Sequence, residues 1–128
     1  MIRMSFNENG FCVESGYSLT PEEKEVAAYY TNMLKIRKPE TPVKVEKRAS
    51  EYTGLYTGWY NFVRFKCGEK VNWIMIDPYH LPKDKTAADF GMSVSRRMWK
   101  ATFKELNDLK RYDDLVVMAC VYKGEEAD

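Results

Sequence analysis

The chain has 128 residues, of which 45% are hydrophobic and 30% are charged, and its net charge is +1. This length and composition fit one globular domain with a core of its own, and they exclude a disordered or fibrous chain. The apolar runs are too short for a transmembrane helix, and a dedicated duplex-binding protein is usually far more basic overall.

The distribution of charge and the number of cysteines indicate which ligands and which cellular location suit the protein. Residues 1–42 carry a net charge of −1, residues 43–112 carry +6, and residues 113–128 carry −4. The basic middle permits a surface that faces phosphates. Residues 1–11 lack the apolar core of a signal peptide. The cysteines are far apart and odd in number, which favours free thiols in a reducing, cytoplasmic location: Cys12, Cys67 and Cys120.

The first predicted elements are a hairpin and a helix. Residues 2–13 predict the hairpin, because Asn9-Gly10 supplies the positive φ angles of a tight turn. Residues 20–23, Thr-Pro-Glu-Glu, form a capping box with proline at the first helical position. The helix ends in residues 38–42, where two prolines forbid its continuation. Its apolar face is expected to contain Val26, Tyr29, Tyr30 and Met33.

Residues 43–77 are rich in aromatic and β-branched side chains, which are typical of the strands of an antiparallel sheet. Residues 43–56 predict one strand or two, and residues 59–66 and 71–77 predict a hairpin. If side chains alternate strictly along residues 59–66, one face of this strand is buried. Trp73 on the next strand is expected to join the same core. This buried face is expected to carry Trp59, Asn61, Val63 and Phe65. The opposite face is expected to carry Tyr60, Phe62, Arg64 and Lys66.

The last third of the chain is ambiguous. Residues 92–106 form either a helix or a strand over 96–103, and the composition of residues 115–122 suits a strand while their spacing suits a helix. Asp113 and Asp114 suit the first turn of a helix. We favour a strand at 96–103 followed by a C-terminal helix.

These elements predict a single α+β domain over residues 1–128. An antiparallel sheet of about four or five strands packs against the N-terminal helix and the C-terminal helix. Residues 1–42 hold the hairpin and first helix, residues 43–122 form a β-rich body, and residues 123–128 form an acidic tail.

The order of segments YTGLY, FVRFK, VNWIMI, MWKATF and LNDLKRYDDLVVMAC resembles a small uncharacterised module found in Firmicutes, sometimes beside exonuclease-like domains. The resemblance covers roughly residues 50–122, and the N-terminal hairpin and helix depart from it. It implies no catalytic residues, and a freestanding copy implies a phage or mobile-element accessory protein. The matching positions are Tyr52, Phe62, Arg64, Phe65, Trp73, Ile74, Trp99, Leu109, Tyr112 and Ala119.

Catalytic patterns are sparse. The single histidine, His80, and Cys67 fall at opposite ends of the strand at 71–77, too far apart for a Cys/His nucleophilic pair. The cysteine spacing does not suit zinc. Asp113-Asp114 and Glu22-Glu23 are explained better as helix starts than as a two-carboxylate site.

One arrangement of acids offers an enzymatic alternative. A cluster of Asp77, Asp84 and Asp89 is the pattern that would hold a magnesium ion, although solvated loop acids explain it better. We therefore expect no cofactor, no bound metal and no enzymatic activity.

Two groups of residues are candidates for binding. If residues 59–66 and 96–103 are neighbouring strands, one exposed face combines phosphate-binding cations with an aromatic ring. That group is Tyr60, Arg64, Lys66, Arg96 and Lys100. The second group is the adjacent pair Tyr29 and Tyr30, which cannot both point straight into a core, so one of them is a candidate anchor for a partner.

The leading hypothesis is a non-enzymatic binding protein of phage or mobile-element type that acts on a nucleic-acid-processing complex. An inhibitor of a bacterial defence nuclease, such as a CRISPR effector, is its concrete form, with the acidic end mimicking phosphates. The alternatives are a module that binds single-stranded nucleic acid directly and a metal-dependent enzyme. We expect a protein partner and no membrane association; the sequence does not determine the oligomeric state.

Overall fold

Eight strands pair into one sheet within the parts of the chain that the computed structural model describes, which are residues 3–6, 12–15 and 18–123. The order across the sheet is β1-β2-β3-β4-β5-β6-β8-β7. The strands are β1 (Arg3–Phe6), β2 (Cys12–Ser15), β3 (Lys44–Ala49), β4 (Tyr52–Thr57), β5 (Tyr60–Cys67), β6 (Asn72–Ile76), β7 (Ser93–Ser95) and β8 (Met98–Phe103). The helices are α1 (Pro21–Arg37) and α2 (Asp113–Ala119), and the 3₁₀ segments are Pro78–His80, Ala87–Phe90 and Leu106–Tyr112.

The predicted α+β class is confirmed, but the strand count exceeds the predicted four or five. Neighbouring strands are antiparallel except β2 and β3, which run parallel at Val13 and Val45. Helix α1 lies between these two strands in the chain, and a parallel pair requires such a crossover. The predicted count is too low because the N-terminal hairpin joins the main sheet and because β7 is too short to show an alternating pattern.

Helix α1 has the predicted start. The Glu23 amide donates to Thr20 Oγ1 at 3.2 Å, and the Thr20 amide donates to Glu23 Oε1 at 3.0 Å, which completes the capping box. Lys38 caps the other end, ahead of the prolines, and its amide donates to the Leu34 carbonyl. The helix buries Val26, Ala27, Tyr30 and Leu34 against the sheet.

The structure resolves the ambiguity in the last third. The favoured strand is confirmed as β8, although it begins at Met98 because Arg96 and Arg97 form a turn after β7. Trp99 and Phe103 alternate into the core while Lys100 lies on the other side, which explains why the segment is a strand. The C-terminal helix is confirmed as α2, with Asp113 and Asp114 in its first turn.

A β-bulge in β5 changes which side chains face the core. Leu55 pairs with Val63, but the next residue, Tyr56, pairs with Asn61, so Phe62 is an extra residue. Alternation is therefore interrupted, and Phe62 and Val63 are both fully buried.

This bulge corrects two positions in the predicted faces. Tyr60 lies in the core at 7% exposure, and the prediction that it shares an exposed face with Arg64 is wrong. Trp59, predicted to be buried, lies in the β4–β5 turn and is 45% exposed.

The sheet has a core face, against which α1 and α2 pack, and an opposite face, here called the outer face. Core residues include Val63, Phe65 and Ile74. Strand β6 separates β5 from β8, so the condition that residues 59–66 and 96–103 form neighbouring strands is not met. Trp73 is a half-buried residue of the outer face and is not in the core. The residues of the outer face that matter below are Asn61, Arg64, Lys66, Trp73, Met75, Lys100 and Thr102.

Some predictions concern residues outside this description. The strands of the N-terminal hairpin pair as expected, but Asn9 and Gly10 lie outside the described residues, as does the acidic tail from 124 to 128. Within residues 3–6, 12–15 and 18–123, the helices are too short or too polar to cross a membrane.

Candidate functional site

A cleft on the outer face collects three of the four basic residues that the sequence singled out, namely Arg64, Arg96 and Lys100. Its volume is about 280 Å³. It lies over β5, β6 and β8 and reaches the turn between β7 and β8. Four side chains carry charge, and two are aromatic. The lining residues are Glu51, Tyr52, Arg64, Trp73, Met75, Ser95, Arg96 and Lys100.

The strand register places two of the cations on either side of one apolar residue. Arg64 on β5 pairs with Met75 on β6, and Met75 pairs with Lys100 on β8. Neighbouring strands are about 4.8 Å apart, so the backbones of Arg64 and Lys100 are separated by roughly 10 Å. Side chains as long as these reach the same ligand from both sides at that separation.

Asn61 holds Arg64 in position. The Asn61 side-chain amide donates to the carbonyls of Leu55 (3.0 Å) and Val63 (2.8 Å), so it bridges the bulge. Its Oδ1 atom accepts from Arg64 Nε at 2.7 Å. The guanidinium then lies over the Tyr52 ring, 4.8 Å from its centroid.

Gly54 makes room for this arrangement, since it pairs with Arg64 across the sheet. A Cβ atom at Gly54 would approach Tyr56 Cε1 to 2.7 Å and Asn61 Nδ2 to 2.8 Å. Both distances are shorter than non-bonded atoms tolerate, so a side chain at this position would displace Asn61.

A second ring and cation pair forms the opposite side of the cleft. Lys100 Nζ lies 5.3 Å from the centroid of the Trp73 ring. Lys66, the direct neighbour of Trp73 on β5, donates from Nζ to the Ser50 carbonyl at 2.7 Å. Each of the two aromatic rings at this site therefore has a cation beside it.

Arg96 reaches the cleft from a turn with an unusual backbone. Ser95 and Met98 pair, so Arg96 and Arg97 alone form the turn, with φ angles of 52° and 67°. Turns with two positive φ angles favour Asn and Gly, because most L-residues are strained there. The sequence places two arginines where Asn-Gly is most stable, and one of them lines the cleft.

We expect Arg97→Gly to raise the free energy of unfolding by about 0.5 to 1 kcal/mol, because relief of the strained φ angle exceeds the entropy that glycine loses on folding. Denaturant unfolding measures this change. Ligand binding should not change, since Arg97 does not line the cleft. A less stable variant would show that contacts of the Arg97 side chain outweigh the backbone strain.

No acid of the described ranges 3–6, 12–15 and 18–123 forms an ion pair with the cleft cations. Among the described residues, the ion pairs are Arg37–Asp114, Lys44–Glu46 and Lys47–Glu23, and none involves Arg64, Lys66, Arg96 or Lys100. Glu51 is the acid among the lining residues. The site therefore carries a net positive charge that is available to an anionic ligand.

Tyr60 does not contribute to this cleft. Its ring packs edge-on against His80, 5.8 Å between centroids, and Lys123 Nζ lies 5.4 Å from its ring centroid. Burial and the nearby Asp77 carboxylate raise the pKa of the Tyr60 hydroxyl. The bulge at Phe62 explains this position, because it puts Tyr60 and Arg64 on opposite faces.

The candidate anchors Tyr29 and Tyr30 are engaged within the protein. Tyr30 is fully buried, and its hydroxyl donates to the Leu109 carbonyl at 3.5 Å. Tyr29 is half-buried, and its hydroxyl donates to Asp113 Oδ2 at 2.6 Å. Burial and this carboxylate raise the pKa of Tyr29. The sequence did not indicate that residues of the C-terminal segment, Leu109 and Asp113, would contact both tyrosines.

The loop acids do not converge. Asp77 accepts from the Tyr79 amide at 3.1 Å, and Asp89 accepts from the Thr86 amide at 2.7 Å, so each caps a 3₁₀ segment. That hydrogen bond holds the pKa of Asp89 below its ordinary value. Asp84 is exposed. Within the described ranges, no three His, Cys, Asp or Glu side chains are grouped as metal ligands.

Cys67 and His80 lie at opposite ends of β6. Cys67 pairs with Asn72, where β6 begins, and His80 belongs to the segment that follows Ile76. Burial raises the pKa of the Cys67 thiol to about 12, and burial lowers the pKa of His80. A thiol that stays protonated is a poor nucleophile.

Sequence reasoning missed both aromatic rings of the cleft, Tyr52 and Trp73, and also Asn61, which holds Arg64 in position. Trp73 carried a usable signal, because it alternates with Ile74 and therefore faces away from the core. The position of Asn61 had no such signal in the sequence, because it depends on the bulge, and a bulge forms only when two strands pair.

The fold and the cleft define an α+β protein with a basic, aromatic site on the helix-free face of its sheet. The chain matches no protein-family model, no curated protein and no solved structure. The resemblance drawn from residues 50–122 therefore stays a prediction.

Proposed function

We propose that this protein binds single-stranded nucleic acid in the cleft on its outer face. The observation that carries the proposal is the grouping of Arg64, Arg96 and Lys100 around the rings of Tyr52 and Trp73. None of these three cations forms an ion pair with an acid in the described part of the chain. Cations bind the phosphodiester backbone, and aromatic rings stack on unpaired bases.

The chemistry favours single strands over a duplex. The aromatic rings that line the cleft can stack only on bases that are not already stacked inside a duplex. A volume of about 280 Å³ suits a single base with its flanking phosphates and is small for a larger ligand. RNA and DNA share this chemistry, and the experiment below compares them.

Fluorescence anisotropy with labelled eight-nucleotide RNA, DNA and duplex DNA tests the proposal across a salt series. Four cations, including Lys66, predict that this cleft contributes about −3 to the slope of log affinity against log salt for single strands. Arg64→Ala with Lys100→Ala should lower the steepness of that slope by about 1.4. Preference for RNA or for DNA identifies the natural strand.

The matched control removes the same charge from the other side of the sheet. Lys24→Ala with Lys35→Ala, here called the helix control, changes two exposed lysines of α1. It should bind as the unmodified protein does. Equal losses in both variants would show a general charge effect, and absence of binding by the unmodified protein would overturn the proposal.

The nuclease-inhibitor hypothesis is a second prediction. Of its acidic end, Asp113 accepts from Tyr29, and Asp114 pairs with Arg37 at 2.9 Å, so these two carboxylates are occupied. Capture of a bacterial nuclease complex, together with no oligonucleotide binding, would support that hypothesis in place of the one proposed here. Its phage origin is likewise a prediction.

A further inference from the structure

A second basic cleft lies at the end of the sheet where β5 turns into β6. Its volume is about 400 Å³, larger than the first. It is lined by the turn that begins at Gly68 and by the end of β8. Lys70 and Lys104 supply two cations and Glu69 one acid, so its charge is also positive.

The two clefts meet at one pair of residues. Trp73 lines the first cleft and Thr102 lines the second, and these residues pair directly across β6 and β8. Lys66 pairs with Trp73 on its other side. Cations therefore continue along the sheet from the first cleft to the second.

We propose, resting on the function inferred above, that the second cleft binds the continuation of the same nucleic-acid strand. Lys70 and Lys104 contact backbone phosphates, and the strand runs along β8 from Lys100 to Lys104. Charge complementarity supports this occupant, as does the continuity of the two sites through Trp73 and Thr102.

The spacing gives the length of strand that is needed. Four residues of an extended strand cover roughly 14 Å. Stacked nucleotides in one strand are about 3.4 Å apart, so roughly four nucleotides separate the two clefts. A dinucleotide in the first cleft cannot reach Lys104, whereas an octanucleotide spans both sites.

Oligonucleotide length separates the two sites experimentally. Lys70→Ala with Lys104→Ala should weaken octanucleotide binding roughly 25-fold at 0.1 M salt, since two phosphate contacts each contribute about 0.7 to the salt slope. The same variant should bind a dinucleotide as the unmodified protein does. Titration calorimetry gives both affinities, with the helix control alongside.

Each outcome is decisive for one of the two proposals. Suppose that the octanucleotide affinity falls in Arg64→Ala with Lys100→Ala but is unchanged in Lys70→Ala with Lys104→Ala. The second cleft is then not part of the site, and the proposed function stands. If neither oligonucleotide binds the unmodified protein, both proposals fail. Equal losses with dinucleotide and octanucleotide would show a general charge effect and would also overturn the second site.

Discussion

Lys47→Met is expected to lower the free energy of unfolding by about 3 to 5 kcal/mol, the typical cost of leaving one buried charge without its partner. Lys47 Nζ lies 2.8 Å from Glu23 Oε1, and the two side chains are 8% and 1% exposed. Glu23 also closes the capping box of α1 and accepts from the Cys67 amide at 3.3 Å. One carboxylate thus joins α1, β3 and β5.

The pH dependence of this effect has a definite sign. Although burial opposes ionisation, hydrogen bonds from Lys47, Thr20 and Cys67 hold the pKa of Glu23 below its ordinary value of 4.5. The stability from the charged carboxylate is therefore complete above pH 4.5 and is lost as the pH falls through the lowered value. In Lys47→Met the unpartnered Glu23 carboxylate protonates more readily. The difference in the free energy of unfolding between the variant and the unmodified protein should therefore become smaller as the pH falls.

Chemical denaturation at pH 7 and pH 4 measures both expectations. Arg37→Met is the control, because Arg37 pairs with Asp114 at 2.9 Å while the two side chains are 42% and 79% exposed. An exposed partner of this kind contributes about 0 to 1 kcal/mol. Equal losses in the two variants would contradict a special role for the buried pair.

Trp73→Ala is expected to weaken the binding of single-stranded oligonucleotides by about 5- to 150-fold, since stacking of one base on an aromatic ring contributes about 1 to 3 kcal/mol. The salt slope should stay unchanged, because the indole carries no charge. This combination distinguishes loss of stacking from loss of the phosphate contacts made by Lys100 above the same ring.

An abasic oligonucleotide provides the second arm of this experiment. It should bind the unmodified protein at least as weakly as the intact strand binds Trp73→Ala, because stacking on Tyr52 is lost as well. The loss caused by Trp73→Ala should be much smaller with the abasic strand than with the intact strand. Trp59→Ala is the matched control, because Trp59 is exposed and does not line the cleft. If Trp73→Ala weakened the binding of the abasic strand as much as that of the intact strand, the stacked base would not lie on Trp73.

The described part of the fold could be predicted wherever a local signal existed. Thr20 and Glu23 fixed the start of α1 because a capping box is a pattern of adjacent residues. Trp99 and Phe103 revealed β8 because side chains alternate along a strand. Tyr60 was misplaced for the opposite reason: the bulge at Phe62 exists only when β4 pairs with β5.

The amino-acid sequence by itself determined the α+β class, the N-terminal helix and the basic character of the middle of the chain, because capping, periodicity and charge are local properties. Only the tertiary structure decided that Arg64 and Lys100 face one cleft across β6 with Met75 between them, that Trp73 lies beside them on the outer face, and that Tyr60 is buried. Those facts depend on strand order, register and one extra residue in β5, which are set by contacts between distant segments.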